Sequence, residues 1–275
     1  MTDSPPTMLR PSFLTLALCA VIGCADAPPS NAPAGMEPQQ PVALENRADS
    51  IAYRAVEASG GFAAWHALPA LRFEFGIERE GQQQIAARHY WDKIGNRYRV
   101  EWPGAGDTTY VALFSAWPDS ATVYAAGEPL TGVAAEEAIA TARRRTINDM
   151  YWLLTPLKLF DPGVTRTYVP DSSDATHDAI RLSFDDVGMT PGDQYWLFID
   201  KETGRLTRWT FLLENDTAPR SFEWTAYQTL QGPAGPVYLS ARKEATAAPV
   251  AILTQALQAP ATVDSTLFTD PTPRL

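Results

Sequence analysis

Cysteine is the first thing this chain lacks. Its only two, Cys19 and Cys24, fall in the first tenth of the sequence, so the body has neither a disulfide nor a thiolate metal site. Histidine is almost as scarce. His66, His89 and His177 stand far apart without a ligand-spaced neighbour, which leaves no zinc pattern and gives each a structural or surface role. There is no G-x-S-x-G elbow, no phosphate loop, no G-x-G-x-x-G and no H-E-x-x-H. Without cysteine, covalent catalysis would need a Ser or Thr and a base that the sequence does not advertise. The expectation is a protein that is not an enzyme, with no cofactor and no metal, a hydrolase being the least favoured alternative. Lysine is short too, with 22 basic residues of which only Lys93, Lys158, Lys201 and Lys243 are Lys, against 32 acidic ones. The formal charge of −10 argues against nucleic acid, or a bare anionic membrane, as the partner of the folded surface.

What is present begins with a leader. Phe13 to Gly23 is an apolar run too short to cross a bilayer and of the length of a signal-peptide core. It ends Val21-Ile22-Gly23-Cys24, and small residues before a cysteine at that place resemble the bacterial lipobox, whose cysteine is lipidated and becomes the first residue of the mature protein. Met1 to Thr7 carries an acid and no base, so the start is either Met1 or Met8. Ala25 rather than Asp follows the cysteine, which by the same resemblance implies the outer membrane. The expected division is residues 1–23 signal peptide, 24–42 disordered tether rich in Pro, Ala and Gln, and 43–275 a single domain.

Within that domain the apolar period is helical in three places. Ala43 to Ser59 places Leu44, Ile51, Ala55 and Ala58 on one side and stops at Gly60-Gly61, and a short turn follows at Phe62 to Leu68. From about Ala134, Ile139, Ala142, Thr146, Met150 and Leu153 or Leu154 mark one buried face, with Glu136, Glu137 and Arg143-Arg144-Arg145 largely on the other. Pro156 biases Thr155 out of the helical region and Pro162-Gly163 forces a turn. Elsewhere the period is two, in runs from Leu71 to Tyr124 and from Val164 to Leu257, with turns at Gly95-Asn96 and Lys201-Glu202-Thr203-Gly204. The expected fold is α+β: one strongly curved antiparallel sheet, an unclosed β-barrel of about 11 strands, with helices covering the concave face.

Three groups of residues could carry a function. Asp185, Asp186, Asp193 and Asp200 surround one hairpin and would suit either a hard cation or turn capping, the commoner use of Asp. The arginine run is either a grip for an anionic head group or partner, or a solvated helix face. The aromatics Trp152, Tyr195, Trp196, Trp209, Phe211 and Trp224 gather around the central helix and the strands after it. They serve a core or, on a curved sheet, a ligand cavity. The expected ligand-binding set is Met150, Trp152, Leu153, Trp196, Trp209 and Trp224.

Gly60-Gly61-Phe62-Ala63-Ala64-Trp65 with Leu68-Pro69-Ala70-Leu71-Arg72-Phe73, then Asp149-Met150-Tyr151-Trp152-Leu153-Leu154, Pro156-Leu157-Lys158-Leu159 and Val187-Gly188-Met189-Thr190-Pro191-Gly192-Asp193-Gln194-Tyr195-Trp196, resemble blocks of a group of bacterial lipoproteins akin to the LolA/LolB lipoprotein-sorting carriers. The resemblance covers about Ser50 to Lys243 and implies an unclosed barrel whose helices plug an apolar cavity sheltering acyl chains. It brings no catalytic residues. It departs from the soluble carrier in the lipobox and from the receptor in having no protruding hydrophobic loop. The expected function is an outer-membrane lipoprotein, facing the periplasm, that binds a lipid or lipoprotein acyl chain. The alternative is a scaffold subunit of an envelope complex. One acyl chain gives only marginal anchoring and two or more hold firmly, so Cys24 should be at least diacylated. Palmitate labelling of the expressed chain should disappear in Cys24→Ala, and label persisting on that variant would show that the lipobox is not used.

Overall fold

The computed structural model describes residues 43–184, 193–214 and 216–275. Cys24, the leader, the tether, Asp185, Asp186 and most of the Val187–Trp196 block lie outside them. Helix α1, Arg47–Ala58, starts later than the periodicity suggests because Asn46 is its cap, its side chain accepting from the Asp49 N–H at 3.0 Å. Leu44 consequently precedes the helix and is exposed, while Ile51, Ala55 and Val56 are buried. Gly60 ends the turn after α1 with φ +104°. A Cβ there would meet the Pro236 carbonyl oxygen at 2.2 Å, so only glycine lets α2, Gly61–Ala67, settle against the sheet.

Six strands follow: β1 Ala70–Arg79, β2 Gln82–Asp92, β3 Arg97–Pro103, β4 Thr109–Ala116, β5 Asp119–Ala125 and β6 Glu128–Pro129. Helix α3, Gly132–Leu154, comes next, and then β7 Val164–Tyr168, β8 His177–Phe184, β9 Gln194–Asp200, β10 Leu206–Leu212, β11 Arg220–Gly232, β12 Gly235–Ala245 and β13 Val250–Gln258. They form one antiparallel, strongly curved and unclosed sheet in the order β6-β5-β4-β3-β2-β1-β13-β12-β11-β10-β9-β8-β7. The strand count, 13 among the described residues, exceeds the expected eleven or so. Short edge pieces such as β6 show no alternation to detect, and Pro129 lacks the donor a longer ladder would need.

This order makes two meanders joined at the centre by β1 and β13, and it puts β6 and β7 at opposite edges. The connection between those edges must cross the whole face. Helix α3 makes the crossing: its 23 residues rise about 35 Å at 1.5 Å each. Ala142, Thr146, Met150, Leu153 and Leu154 press into the core beneath it. There they meet the inward side chains of the strands, including Leu71, Phe73, Tyr98, Val100, Ile180 and Leu182. Pro156 does not take Thr155 out of the helical region as expected. Thr155 stays right-handed (φ −43°, ψ −48°) because its hydroxyl donates back to the Tyr151 carbonyl at 2.5 Å and a 3₁₀ turn, Thr155–Leu157, carries the chain on.

The outer face of β1 to β4 is covered by the C-terminal segment, which no periodicity announces. Fully buried Arg99 donates to Glu101 at 2.6 Å, to the carbonyls of Leu267 and Asp270 at 2.7 Å, and to that of Thr272. Glu101 in turn accepts from the Arg274 N–H at 2.8 Å. Leu267 and Phe268 pack beside Ala70 and Tyr90 as a second, small cluster. A buried ion pair is tolerable only where its remaining donors and acceptors are met, and here backbone carbonyls meet them.

Two of the four lysines are buried as well. Lys243 donates to the Ser240 carbonyl at 2.6 Å and lies 5.0 Å from the Trp224 ring centre; Lys93 donates to the Trp65 carbonyl. Burial pushes both ammonium groups down to about 7. Between that value and the ordinary 10.5 the unfolded chain binds protons that the folded one has given up, so stability rises with pH across this window. Lys243→Met should raise the urea midpoint most at pH 6, where the folded lysine is still charged, and by progressively less at pH 8 and 9.5. A gain independent of pH would show that Lys243 does not titrate in this window.

Candidate functional site

Beside the buried stripe of α3 runs a second one. Arg145, Asn148, Asp149 and Trp152, spaced i, i+3, i+4 and i+7, face a cavity of about 650 Å³ between the helix and the sheet. Phe75 and Ile77 of β1 and Ala86 of β2 form one wall, and Phe184, Tyr195, Trp209 and Phe211 form the other. The aromatic wall is a continuous cluster. Trp152 and Trp209 lie 4.4 Å apart between ring centres, Tyr195 and Trp209 5.5 Å, and Trp152 and Phe222 5.1 Å. Such pairs add about 0.5–1.5 kcal/mol each beyond their burial.

Of the six residues expected to bind ligand, the structure brings Trp152 and Trp209 to the cavity. Met150 and Leu153 lie on the core stripe instead, about 100° around the helix from their cavity-facing neighbours. Trp224 is buried behind Trp209, with 6.0 Å between ring centres. Trp196 is on the other face of the sheet, where it pairs with Arg181 and Thr210; alternation along β9 gives the inward place to Tyr195. Counting by twos from Trp209 finds Phe211, and the register of β9 against β10 then finds Tyr195 opposite it.

Three polar features touch the cavity. At its helix side Asp149, almost fully buried, receives Asn148 Nδ2 at 2.8 Å and lies 3.0 Å from His89 Nε2. His89 is completely buried, stacked 4.4 Å over Phe73, and its Nδ1 is 3.1 Å from the Tyr98 hydroxyl. Burial first, and Asp149 second, hold the Tyr98 phenol well above its usual range. Tyr98 therefore keeps its proton, and the arrangement in which it donates to Nδ1 while Nε2–H donates to Asp149 satisfies all three groups. The chain ties β3 through β2 to α3 and contains no aliphatic hydroxyl or thiol poised for attack. In the aromatic wall, the Tyr151 hydroxyl and the Trp209 indole N–H are buried without a hydrogen-bond partner among the described residues. Burial, then Asp161 and Tyr195, raises the Tyr151 phenol strongly, so it too remains a donor. At the mouth stand Arg144, Arg145 and Arg220 beside exposed Ile147.

Of the acidic group, Asp193 and Asp200 fall among the described residues. Asp193 accepts from Tyr195 Oη at 2.8 Å and from the Glu214 N–H at 2.9 Å. Asp200 caps the β9–β10 turn, accepting from both Thr203 N and Oγ1 at 2.7 Å. Among the described residues no three acids, histidines or cysteines could hold a metal. His66 stacks on Phe62 and His177 sits by Asp174.

No family model matches the chain, and no curated protein does. Among solved structures it is similar to a DUF1329 family protein from Desulfovibrio piger, with 11% identity, 80% of this chain and 96% of that one covered, and a TM-score of 0.46. A LolA superfamily protein from Nitrosomonas europaea gives 13%, 81%, 97% and 0.42. A domain from Vibrio parahaemolyticus described as an outer membrane lipoprotein-sorting protein gives 9%, 80%, 94% and 0.41. The second is named for the LolA superfamily and the third for lipoprotein sorting. All three superpositions fall short of a TM-score of 0.5, and the functional reading stands on the cavity alone.

Asp149 is the acceptor that holds α3 to β2, so Asp149→Ala strands the His89 N–H in the interior. It should cost at least about 1–3 kcal/mol in urea unfolding, whereas Asn148→Ala on the exposed side should cost under about 0.5 kcal/mol. Equal losses from the two would show that the buried bond contributes nothing.

Proposed function

We propose that this domain binds the acyl chain of a lipid or lipoprotein in the cavity under α3, without covalent chemistry. In this reading it works as an outer-membrane lipoprotein held by lipid on Cys24 and facing the periplasm. The observation that carries the reading is the space itself. Trp152 and the core stripe of α3 fill only part of the volume that the curled sheet encloses, and about 650 Å³ stays open between aromatic and aliphatic walls. That size lies within the range of about 300–1,000 Å³ usual for small-molecule sites. An apolar chain entering it gains on the order of 25 cal/mol per Å² removed from water, several kcal/mol in all. The buried network of Tyr98, His89 and Asp149 holds no serine, threonine or cysteine, and its three groups are engaged with one another as a strut, which supports a binding role over a hydrolytic one. Among the described residues no helix is long and apolar enough to cross a membrane, and attachment through Cys24 would supply the membrane contact.

The mature chain from residue 24, made without its lipid, should take up cis-parinaric acid at micromolar concentration and change its tryptophan emission, because Trp152 and Trp209 line the cavity. Ala86→Trp, which puts a large side chain into the opposite wall, should weaken uptake about tenfold or more while the thermal midpoint stays within about 4 °C. Failure of cis-parinarate and of other long-chain probes to bind would leave the envelope scaffold as the better reading.

A further inference from the structure

The arginines at the mouth are the feature that an apolar cavity does not need. In a chain of net charge −10, surface cations ordinarily find carboxylates, and several here do. Arg143 lies 4.0 Å from Asp119, and Arg220 is 2.5 Å from Asp216. Arg144 and Arg145 differ. Arg144 donates to the Thr141 hydroxyl at 2.9 Å and Arg145 to the Ala86 carbonyl at 3.1 Å; no ion pair engages either one among the described residues. The Arg145 Nε is in addition buried without any hydrogen-bond partner among them. Both residues line the cavity. Arg144 is exposed and Arg145 is half-buried, which puts their charge where the apolar wall meets solvent. The acids in the same lining, Asp149 and Asp193, already have the hydrogen-bond partners described above.

We infer that the cavity selects a long-chain fatty acid, its tail against Trp152, Trp209 and Phe211 and its carboxylate on Arg144 and Arg145. This deepens the acyl-binding reading and rests on it. Guanidinium forks match a carboxylate in shape, and a charge-assisted hydrogen bond is about twice as strong as a neutral one. A phosphate would also be attracted, but Asp149 and Asp193 stand in the same lining and oppose a second negative charge, which favours the monoanion. An acyl chain esterified or amide-linked to a protein carries no such charge. The arginines therefore separate a free acid from a lipoprotein within the same cavity.

The test is competition against the uncharged reporter 1-N-phenylnaphthylamine bound to the mature chain from residue 24, without its lipid, at low ionic strength. Palmitate should displace it about tenfold more effectively than hexadecanol, and more effectively than palmitoyl lysophosphatidate. The preference should shrink as salt is added. In the double variant Arg144→Gln, Arg145→Gln the preference for palmitate over hexadecanol should fall to about one, with hexadecanol displacing as before. That retained binding separates loss of the head-group contact from loss of the fold. Equal displacement by palmitate and hexadecanol in the unmodified chain, or a preference that survives the double variant, would overturn the inference while leaving acyl binding in place. Stronger displacement by lysophosphatidate than by palmitate would overturn the choice of carboxylate. If the reporter and every amphiphile fail to bind, both readings fall together.

Discussion

The sheet order obliges one segment to travel from edge strand β6 to edge strand β7, and everything at the centre of this domain follows from that crossing. A loop making the same journey would leave its backbone groups unpaired over an apolar face. A helix satisfies them internally and can bring side chains down onto the sheet, and α3 is long enough for the purpose. Its core stripe, Ala142 to Leu154, closes the interior. Its neighbouring stripe, Arg145 to Trp152, touches the strands only at points, Arg145 on Ala86, Asp149 on His89 and Trp152 on Trp209, and the space left between them is the cavity. One helix thus both seals the core and leaves it incomplete.

The electrostatics follow the same division. On the core side the polar groups are consumed internally: His89 between Tyr98 and Asp149, Arg99 among C-terminal carbonyls, Lys243 against Ser240. Each of these three buried groups is matched within the fold, as desolvation requires. On the cavity side the matching stops. Tyr151 and Trp209 hold donors without acceptors among the described residues, and Arg144 and Arg145 lie at the mouth with no ion pair among them. Thr146 and Trp224 in the core also lack partners among the described residues, so it is the unpaired charge at the mouth that gives the site its chemical character.

Much of this architecture is legible in the sequence. Periods of two and 3.6 give the class and nearly all the strands, Gly204 and Asn96 mark their turns, and the buried residues of α3 come out in order. Boundaries go wrong where a single side chain decides them, as Asn46 does by capping α1 and the Thr155 hydroxyl does by carrying the helix past its expected stop. The site is legible as a neighbourhood. Aromatic enrichment points to α3, β9 and β10, but choosing Tyr195 over Trp196 needs the face that β9 presents, and choosing Trp152 over Leu153 needs the rotation of α3. Neither Asp149 with His89 nor Arg99 with the tail carries a local signal, since each joins segments far apart in the chain.

The central pairing of β1 with β13 has a kinetic meaning. These strands are the first and last of the domain, so the middle ladder of the sheet cannot form until nearly the whole chain is available. Either meander alone would present an unpaired inner edge, and the Arg99 socket would wait still longer for the final residues. A polypeptide that emerges from a ribosome or a translocation pore amino end first is thereby kept from settling into its native topology until its last strand is free. If the leader serves as the signal peptide expected from its sequence, the order of strands itself would delay folding until after passage.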